Sequence, residues 1–257
     1  MSAQTPISAP TPAKPASHTD AQADPSVAPA AAEAAAALGT AAANGTTAKS
    51  GRKGFDPKVR DKVITAARRA MEKGGIDSVK ARYIANEAGI SVGSIYNLFD
   101  DLDELVRIVN GETYDRLLAS EQAALDGARA AGAAPIDQML ALARAYLEFV
   151  VEHQGIWQST LAFNRSRKAA PPAWYAAKEE ALFDVIEDAI SVFPGTHDPQ
   201  VRATATRALW ASVHGIVTMA VADGFLMQPV DEVGRQIEIV VKAMGLAMAN
   251  ADFGARS

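Results

Sequence analysis

The chain has 257 residues, of which 49% are hydrophobic and 21% are charged, a composition typical of a folded protein with one or two domains. It contains no cysteine, which excludes disulfide bonds, thiolate metal sites and a cysteine nucleophile. No apolar run approaches the roughly 20 residues that a membrane-spanning helix needs, and the N-terminus lacks the pattern of a secretory signal. We therefore expect a cytoplasmic protein with no membrane partner.

Residues 1–51 differ in composition from the rest of the chain. Ala, Pro, Ser, Thr and Gly dominate them, and large apolar residues do not recur at regular spacing. Such a segment buries too little apolar surface to offset the entropy lost on ordering. We predict a disordered tail over residues 1–51, a first domain over 52–101 and a second domain over 102–250.

Charge is distributed unevenly along the chain. Residues 49–99 contain 11 Lys and Arg against 5 Asp and Glu, a net charge of +6, whereas the whole chain carries −5. Everything outside this segment therefore sums to −11. A basic segment attached to an acidic body indicates a polyanionic partner for that segment, although an ordinary solvated helix face has a similar composition.

Three short helices are predicted between residues 56 and 99. The first begins at Asp56-Pro57, a capping residue followed by proline in the first turn, and stops at the glycine pair 74–75. The second starts at about residue 78 or 80 and ends just before Gly89, since glycine readily adopts the left-handed conformation that follows a helix. Ser91 is the predicted cap of the third helix.

The turn between the second and third helices has two possible interpretations. Residues 89–93 match the G-x-S-x-G pattern of a hydrolase nucleophile elbow, but an elbow needs a β-strand before the serine, and here a helical pattern precedes it. The spacing of Ala85, Gly89 and Ile95 is that of a helix-turn-helix. In that motif a small residue lets two helices approach, glycine makes the tight turn, and an apolar residue packs the second helix on the first. We therefore predict a DNA-reading helix-turn-helix.

A wider set of positions around this turn matches a known pattern. It comprises Gly75, Ile76, Ile84, Ala85, Ala88, Gly89, Ile90, Ser91, Gly93, Ser94, Ile95, Tyr96 and Phe99. With these positions, residues 55–105 resemble the DNA-binding domain of the tetracycline-repressor (TetR) family of bacterial regulators. Two positions depart from the family pattern: Lys80 replaces the usual Thr or Ser, and Leu102 replaces a usual Lys. The second change removes one expected phosphate contact, which lowers the affinity expected at a given salt concentration.

The predicted contacts with double-stranded DNA centre on the third helix. We expect the helix start at Ser91–Ser94 to approach a phosphate, Tyr96 to contact the backbone, and Asn97 to lie near the base edges with Gly93 and Ser94. An N-terminal basic arm is expected to reach the backbone or the minor groove. The full set of candidate DNA-binding residues is Arg52, Lys53, Lys80, Ser91, Val92, Gly93, Ser94, Tyr96 and Asn97.

The rest of the chain is predicted to be helical as well. A fourth helix runs from Leu102 to about Ser120, with an acidic first turn that suits the positive end of the helix dipole. Proline and glycine then punctuate five further helices. These are predicted over residues 135–151, 155–167, 172–193, 199–224 and from Pro229 onward.

The last two helices carry apolar stripes, and the stripe residues are the candidate dimer interface. They are Val213, Val217, Val233, Ile237, Val240, Val241 and Met244. Such stripes most often belong to the protein's own core. In proteins that resemble TetR, however, the last two helices commonly pair with their copies, so the resemblance implies a homodimer that places two recognition helices on a near-palindromic operator.

Aromatic residues concentrate in the second domain and are the basis for a predicted effector pocket. Residues Trp210, His214 and Gly215 resemble the W-x-x-x-H-G signature of one type of TetR C-terminal domain. We expect Trp157, Trp210 and His214 to line a site for an apolar or aromatic small molecule, although core packing alone would use the same rings. His214 has no partners at metal-ligand spacing, so no metal site is predicted.

The predicted fold class is all-α, with an N-terminal three-helix DNA-binding domain followed by a helical domain for effector binding and dimerisation. The predicted function is a sequence-specific transcriptional regulator, a repressor released by a small molecule. A small helical hydrolase and a ligand-independent architectural DNA-binding protein are the alternatives. No Walker loop, dinucleotide fingerprint or H-E-x-x-H motif is present, and no cofactor is expected.

Overall fold

A computed structural model of the chain describes residues 56–167, 169–222 and 228–254. In these ranges the regular structure is helical throughout, as the sequence predicts. The helices are α1 Pro57–Gly74, α2 Ala81–Ala88, α3 Val92–Leu98, α4 Leu102–Ala130, α5 Pro135–Glu152, α6 Gln154–Ser166, α7 Ala173–Ile190, α8 Pro199–Val217 and α9 Val230–Met248. Short 3-10 turns lie at Ile76–Ser78 and Pro194–Thr196, and a π turn at Thr218–Ala222 follows α8. None of the described helices is long and apolar enough to cross a bilayer.

The ends of the first three helices follow the local signals in the sequence. Asp56 caps α1 by accepting a hydrogen bond of 2.9 Å from the backbone N–H of Lys58. Gly89 ends α2 in the left-handed conformation, with φ 70° and ψ 36°. Ser91 caps α3 by accepting from the backbone N–H of Ser94 at 3.1 Å. The structure confirms these three predicted ends. They could be predicted because capping depends on residues within one turn of each other.

The first three helices, called here the head, surround a small apolar core. Ile95 of α3 and Ile84 of α2 are fully buried against α1. Side chains from outside the head complete this core. The contributing residues are Leu105, Val106 and Val109 of α4 together with Ile156 and Phe163 of α6.

Helix α4 is longer than predicted, because it continues past Ser120 to Ala130. Its last ten residues are mainly Ala, Glu, Gln, Leu and Arg, all strong helix formers. Leu125 in this segment is fully buried in the second core. At 1.5 Å per residue the 29-residue helix is about 44 Å long and enters both apolar cores.

Helices α5, α7, α8 and α9 pack with the C-terminal part of α4 to form the larger core, called here the body. The predicted proline starts at Pro135 and Pro199 are confirmed as first helical residues. Asp198 caps α8 through its carboxylate, which accepts from the backbone N–H groups of Gln200 and Val201. Helix α8 ends at Val217, earlier than predicted, and the π turn follows directly.

A layer of buried polar side chains lies between the head core and the body core. The Asn110 amide of α4 donates to the Tyr175 hydroxyl of α7 at 3.2 Å and accepts from the Thr160 hydroxyl of α6 at 2.9 Å. Tyr175 in turn donates to Asn164 at 2.9 Å. The layer therefore ties α4, α6 and α7 together at one level, with directional bonds rather than apolar contact.

Helix α6 is docked tightly on the end of α1. The Ser159 hydroxyl donates to the Met71 carbonyl at 2.8 Å. At Gly155 the two backbones come so close that a Cβ atom would lie 2.3 Å from the Glu72 carbonyl oxygen. Only glycine permits this approach, so the position of α1 follows the position of α6.

Candidate nucleic-acid interface and buried cavity

One face of α3 is open to solvent while the opposite face packs in the head. Tyr96 is 47% exposed and Val92 is 40% exposed, and Gly93 and Asn97 also lie on the outer surface. Ile95 between them is fully buried. Four of the residues that the sequence predicts for DNA contact, Val92, Gly93, Tyr96 and Asn97, are therefore exposed on this helix, while Ser94 is half-buried.

Ser91 is occupied as a helix cap. Its hydroxyl lies 2.8 Å from the Ser94 hydroxyl and accepts from the Ser94 backbone N–H. The residue before it belongs to the turn after α2, so a helix precedes the serine in place of the strand that a nucleophile elbow requires. The geometry around Ser91 is that of a helix-turn-helix.

Several cations of the head are exposed to solvent. Lys80 lies at the start of α2, where no side-chain cap forms, and it is exposed together with Arg82. Other basic residues have internal roles: Arg68 pairs with Glu112 of α4, and the Arg60 guanidinium lies 5.1 Å from the centre of the Phe99 ring. The predicted basic arm at Arg52 and Lys53 lies outside the described residues.

A largely apolar cavity lies inside the body. It encloses about 420 Å³ of space free of protein atoms, its mouth included. Its closed interior has room for about two water molecules. The lining residues are Glu121, Met139, Leu142, Ala143, Tyr146, Ile186, Leu209, Trp210, Val213, His214 and Val241.

Two of the three residues predicted for an effector pocket lie on this cavity. The Trp210 ring stacks on His214, with 4.4 Å between centroids and 10° between planes. His214 Nδ1 and the Tyr146 hydroxyl share a hydrogen bond of 2.7 Å. Trp157 is not a lining residue; it packs behind Tyr146, with ring centroids 5.8 Å apart. Its predicted place on the wall is therefore corrected to a supporting position in the core.

Glu121 on the cavity wall was missed by the sequence reasoning. Only 5% of its surface is exposed, and its Oε2 atom is buried with no hydrogen-bond partner among the described residues. Burial raises the pKa of this carboxyl to about 8. Burial also raises the pKa of the neighbouring Tyr146 hydroxyl above its ordinary value. The available signal was the placement of Glu121 midway between Leu117 and Leu125 on one apolar stripe, but the predicted helix stopped at Ser120.

The apolar stripes proposed for the dimer interface face mainly inward. Val213, Val217, Val233, Ile237 and Val241 are all buried in the core of the single chain. Val240 and Met244 are half-buried. The five buried residues are therefore covered within the single chain, whereas Val240 and Met244 keep some free surface; the interface residues and the homodimer stay predictions.

The exposed apolar residues of α9 lie on its other face. Ile239 and Leu246 are 68% and 67% exposed, and Ala243 is exposed between them. On α8 the exposed positions include the small residues Ala208 and Ala211. The two helices pack against each other, and both therefore present small or apolar side chains outward.

The described part of the chain contains no group of three or more His, Asp or Glu side chains arranged to hold a metal ion. The groups that converge are instead two sets of different character. One is the exposed face of α3 on a basic head, and the other is the apolar cavity with Glu121, Tyr146 and His214 as its polar atoms.

Comparison with known proteins gives the same division. A family model described as bacterial regulatory proteins of the tetR family matches residues 63–109. A second, described as a tetracyclin repressor-like C-terminal domain, matches residues 139–244, a range that includes Trp210, His214 and Gly215. No curated protein matches the sequence.

Solved structures have a similar fold. A protein of unknown function from Rhodococcus sp. RHA1 is 23% identical, with a TM-score of 0.60 over 77% of this chain and 100% of its own. A TetR transcriptional regulator from the same organism is 15% identical, with a TM-score of 0.55 over 73% and 95%. A putative TetR-family regulator from Mesorhizobium loti MAFF303099 is 19% identical, with a TM-score of 0.56 over 74% and 97%. The two family matches together cover more than half of the sequence, and the chain belongs to the TetR family of DNA-binding transcriptional regulators.

Proposed function

We propose that the protein is a transcriptional repressor that binds a near-palindromic operator as a homodimer and leaves it when a small molecule occupies the body cavity. One observation carries this proposal: α4 is a single continuous helix that is buried at one end in the head core and at the other in the wall of the cavity. A shift at the cavity end of a stiff helix is transmitted to the head, which changes the separation of two recognition helices in a dimer.

Helix α6 offers a second route for the same coupling. It carries Trp157, which packs behind the cavity residue Tyr146, and it also docks on α1 through Gly155 and Ser159. A ligand that moves Tyr146 outward therefore presses on a helix fixed to the head. An effector can shift the equilibrium only by binding the arrangement that cannot bind DNA more tightly than the one that can.

DNA recognition is assigned to the exposed face of α3. The Tyr96→Ala variant would lose the proposed contact with the DNA sugar-phosphate backbone. It is expected to bind the operator at least tenfold more weakly, a loss of about 1.4 kcal/mol in binding free energy. The operator is obtained by selection from random duplex DNA, and affinity is measured by fluorescence anisotropy. Val151→Ala, a half-exposed site on α5, is the control and should leave affinity unchanged. An unchanged affinity for Tyr96→Ala would remove α3 from the proposed interface.

Lys80 tests the electrostatic part of the same interface. A basic residue that neutralises one phosphate contributes about one unit to the slope of log affinity against log salt concentration. Lys80→Ala is therefore expected to lower that slope by about one and to weaken binding to all sequences alike. A slope equal to that of the wild type would place Lys80 away from the DNA.

The homodimer is assigned to the outward faces of α8 and α9. An exposed apolar row at helical spacing is formed by Ile239, Ala243 and Leu246. A contiguous row of this kind marks an interaction surface more often than single exposed apolar residues do. Ala208 and Ala211 on α8 are small enough to let a second pair of helices approach closely. This face replaces the inward stripe as the proposed seam of a four-helix interface.

Leu246→Glu tests the seam by placing a charge in it. The variant is expected to sediment as a monomer at micromolar concentration, while the wild type sediments as a dimer. Val151→Glu is the matched control, because it places the same charge on an exposed site far from the proposed seam. The start of α5 contacts α9, where Ile136 lies beside Gly245. Val151 lies 15 residues, or about 22 Å, further along α5. A dimeric Leu246→Glu protein would show that the partner binds elsewhere.

A further inference from the structure

The most unusual feature of the cavity is a buried carboxyl oxygen that has no hydrogen-bond partner in the described part of the chain. Glu121 comes from α4 and lies among apolar side chains, and its Oε2 atom is buried without a hydrogen bond. Buried polar atoms in folded proteins are nearly always hydrogen-bonded, so an exception needs a physical explanation. A buried polar atom without a hydrogen bond costs folding free energy. A leucine at position 121 would fill the core without that cost, so core packing alone does not explain the glutamate.

No fixed cation of the cavity wall balances this acid. The lining contains neither lysine nor arginine. The titratable groups that face Glu121 are Tyr146 from α5 and His214 from α8, and these two are hydrogen-bonded to each other. Helices α7 and α9 contribute Ile186 and Val241, which are apolar. The carboxylate is therefore placed where a bound molecule can supply its counter-charge.

Aromatic rings make the rest of the wall suitable for a cation. Trp210 and Tyr146 both line the cavity, and the faces of such rings attract positive charge. Methionine and aliphatic side chains cover the remaining wall and suit an apolar body. An anion, by contrast, finds neither lysine nor arginine on this wall and would disfavour the ionised form of Glu121.

We propose that the cavity binds a small organic cation, a protonated amine on an apolar or aromatic body, with the Glu121 carboxylate as its counter-ion. This proposal rests on the effector cavity proposed above and assigns its ligand chemistry. The interior of the cavity has room for about two water molecules, so a ligand of this size enters by displacing side chains. The displaced walls include α4 itself, because Glu121 is part of that helix.

Binding of the cation is coupled to release of a proton. In the free protein burial holds the pKa of Glu121 at about 8, so the carboxyl is protonated at neutral pH. The arriving ammonium group favours the carboxylate and displaces that proton. Affinity for the amine is therefore expected to rise about tenfold per pH unit from pH 6 and to level off near pH 8. An alkylamine stays charged throughout this range.

The test uses three probes of similar size on the full chain: phenethylamine, its uncharged isostere propylbenzene, and the neutral ketone phenylacetone. Affinities are measured by quenching of tryptophan fluorescence, since Trp210 lies on the wall. At pH 8 phenethylamine is expected to bind at least tenfold more tightly than the other two. Glu121→Gln, which keeps the shape and removes the charge, should weaken phenethylamine about 30-fold or more and leave propylbenzene unchanged.

The pH series separates the ion pair from a merely structural role, and its wild-type arm needs no variant. The rise in amine affinity with pH should be present in the wild type and lost in Glu121→Gln, in which any contribution of His214 remains. Absence of saturable amine binding, equal affinity for the three probes, or a pH-independent affinity in the wild type would overturn the proposal.

The two proposals fail in different ways. If phenethylamine binds with these properties but leaves operator affinity unchanged, the ligand assignment stands and release by an effector is wrong. If propylbenzene or phenylacetone binds as tightly as the amine and releases the operator, release by an effector stands and the cation assignment is wrong.

Discussion

The head and the body solve different physical problems with the same kind of helix. The head core is small, and its buried residues, such as Ile84, Ile95 and Phe99, are all apolar. The body is larger and includes a cavity, a carboxyl oxygen of Glu121 with no hydrogen-bond partner among the described residues, and a π turn that follows the helix of His214. A DNA-reading surface needs a fixed shape, whereas a ligand site needs walls that can move. π turns are frequent at functional sites for this reason.

The border between the two regions is itself highly ordered. The Asn110 layer and the contact of α6 with α1 join the head and the body through directional or very close contacts. On the proposed mechanism, these contacts would carry a movement in the body to the head. The following predictions test this contrast, beginning with the largest expected effect.

Gly155→Ala attacks the closest contact between α6 and the head. The added Cβ would lie 2.3 Å from the Glu72 carbonyl oxygen, so the two helices must separate. We expect a loss of about 3 kcal/mol in the free energy of unfolding, measured in urea at fixed protein concentration. Gly127→Ala in α4, where nothing lies within 4 Å, is the control and should be neutral or slightly stabilising. Equal effects of the two substitutions would show that the close approach is not required.

Tyr175→Phe tests the polar layer without creating a large void. Loss of the hydroxyl leaves the Asn110 amide and the Asn164 carbonyl oxygen without their buried partner. We expect a loss of about 2 kcal/mol in the free energy of unfolding. Tyr83→Phe on the outer surface of α2 is the matched control, because Tyr83 is 42% exposed. This variant should lose less than about 0.5 kcal/mol in the free energy of unfolding.

Glu121→Gln tests the adaptable side of the comparison through the pH dependence of stability. The folded protein holds the proton of Glu121 up to about pH 8, whereas the unfolded chain releases it near pH 4.5. The native state thus binds more protons between these values, and this group makes stability fall as pH rises through the window. Between pH 6 and 7 the free energy of unfolding of the wild type should fall by about 1.4 kcal/mol more than that of Glu121→Gln.

The comparison of the two proteins removes groups that titrate in both. Urea unfolding at each pH gives the difference directly. Parallel pH profiles for the wild type and Glu121→Gln would mean that the carboxyl is solvated or paired in solution, which would also weaken the case for a bound counter-ion.

Much of the head could be predicted from the sequence. The cap at Asp56 and the left-handed Gly89 depend on residues within one or two turns, so local chemistry specifies them. The helical body was predicted on the same ground, because proline and glycine mark its helix ends. The boundaries proposed at residues 51 and 101 stay predictions, as do the DNA contacts of individual residues.

Only the tertiary structure decided what each helix faces. The sequence shows that α9 has an apolar stripe through Ile237, but packing against the rest of the body decides that this stripe is core and that Ile239 and Leu246 are outside. Likewise Trp157 and Trp210 are equivalent as sequence symbols, and the crossing of α5, α6 and α8 puts only Trp210 on the cavity. The tertiary structure likewise decides that Glu121 is buried on the cavity wall. Helix periodicity and capping are local properties, whereas burial, cavities and a buried polar atom without a partner arise from neighbours distant in the chain.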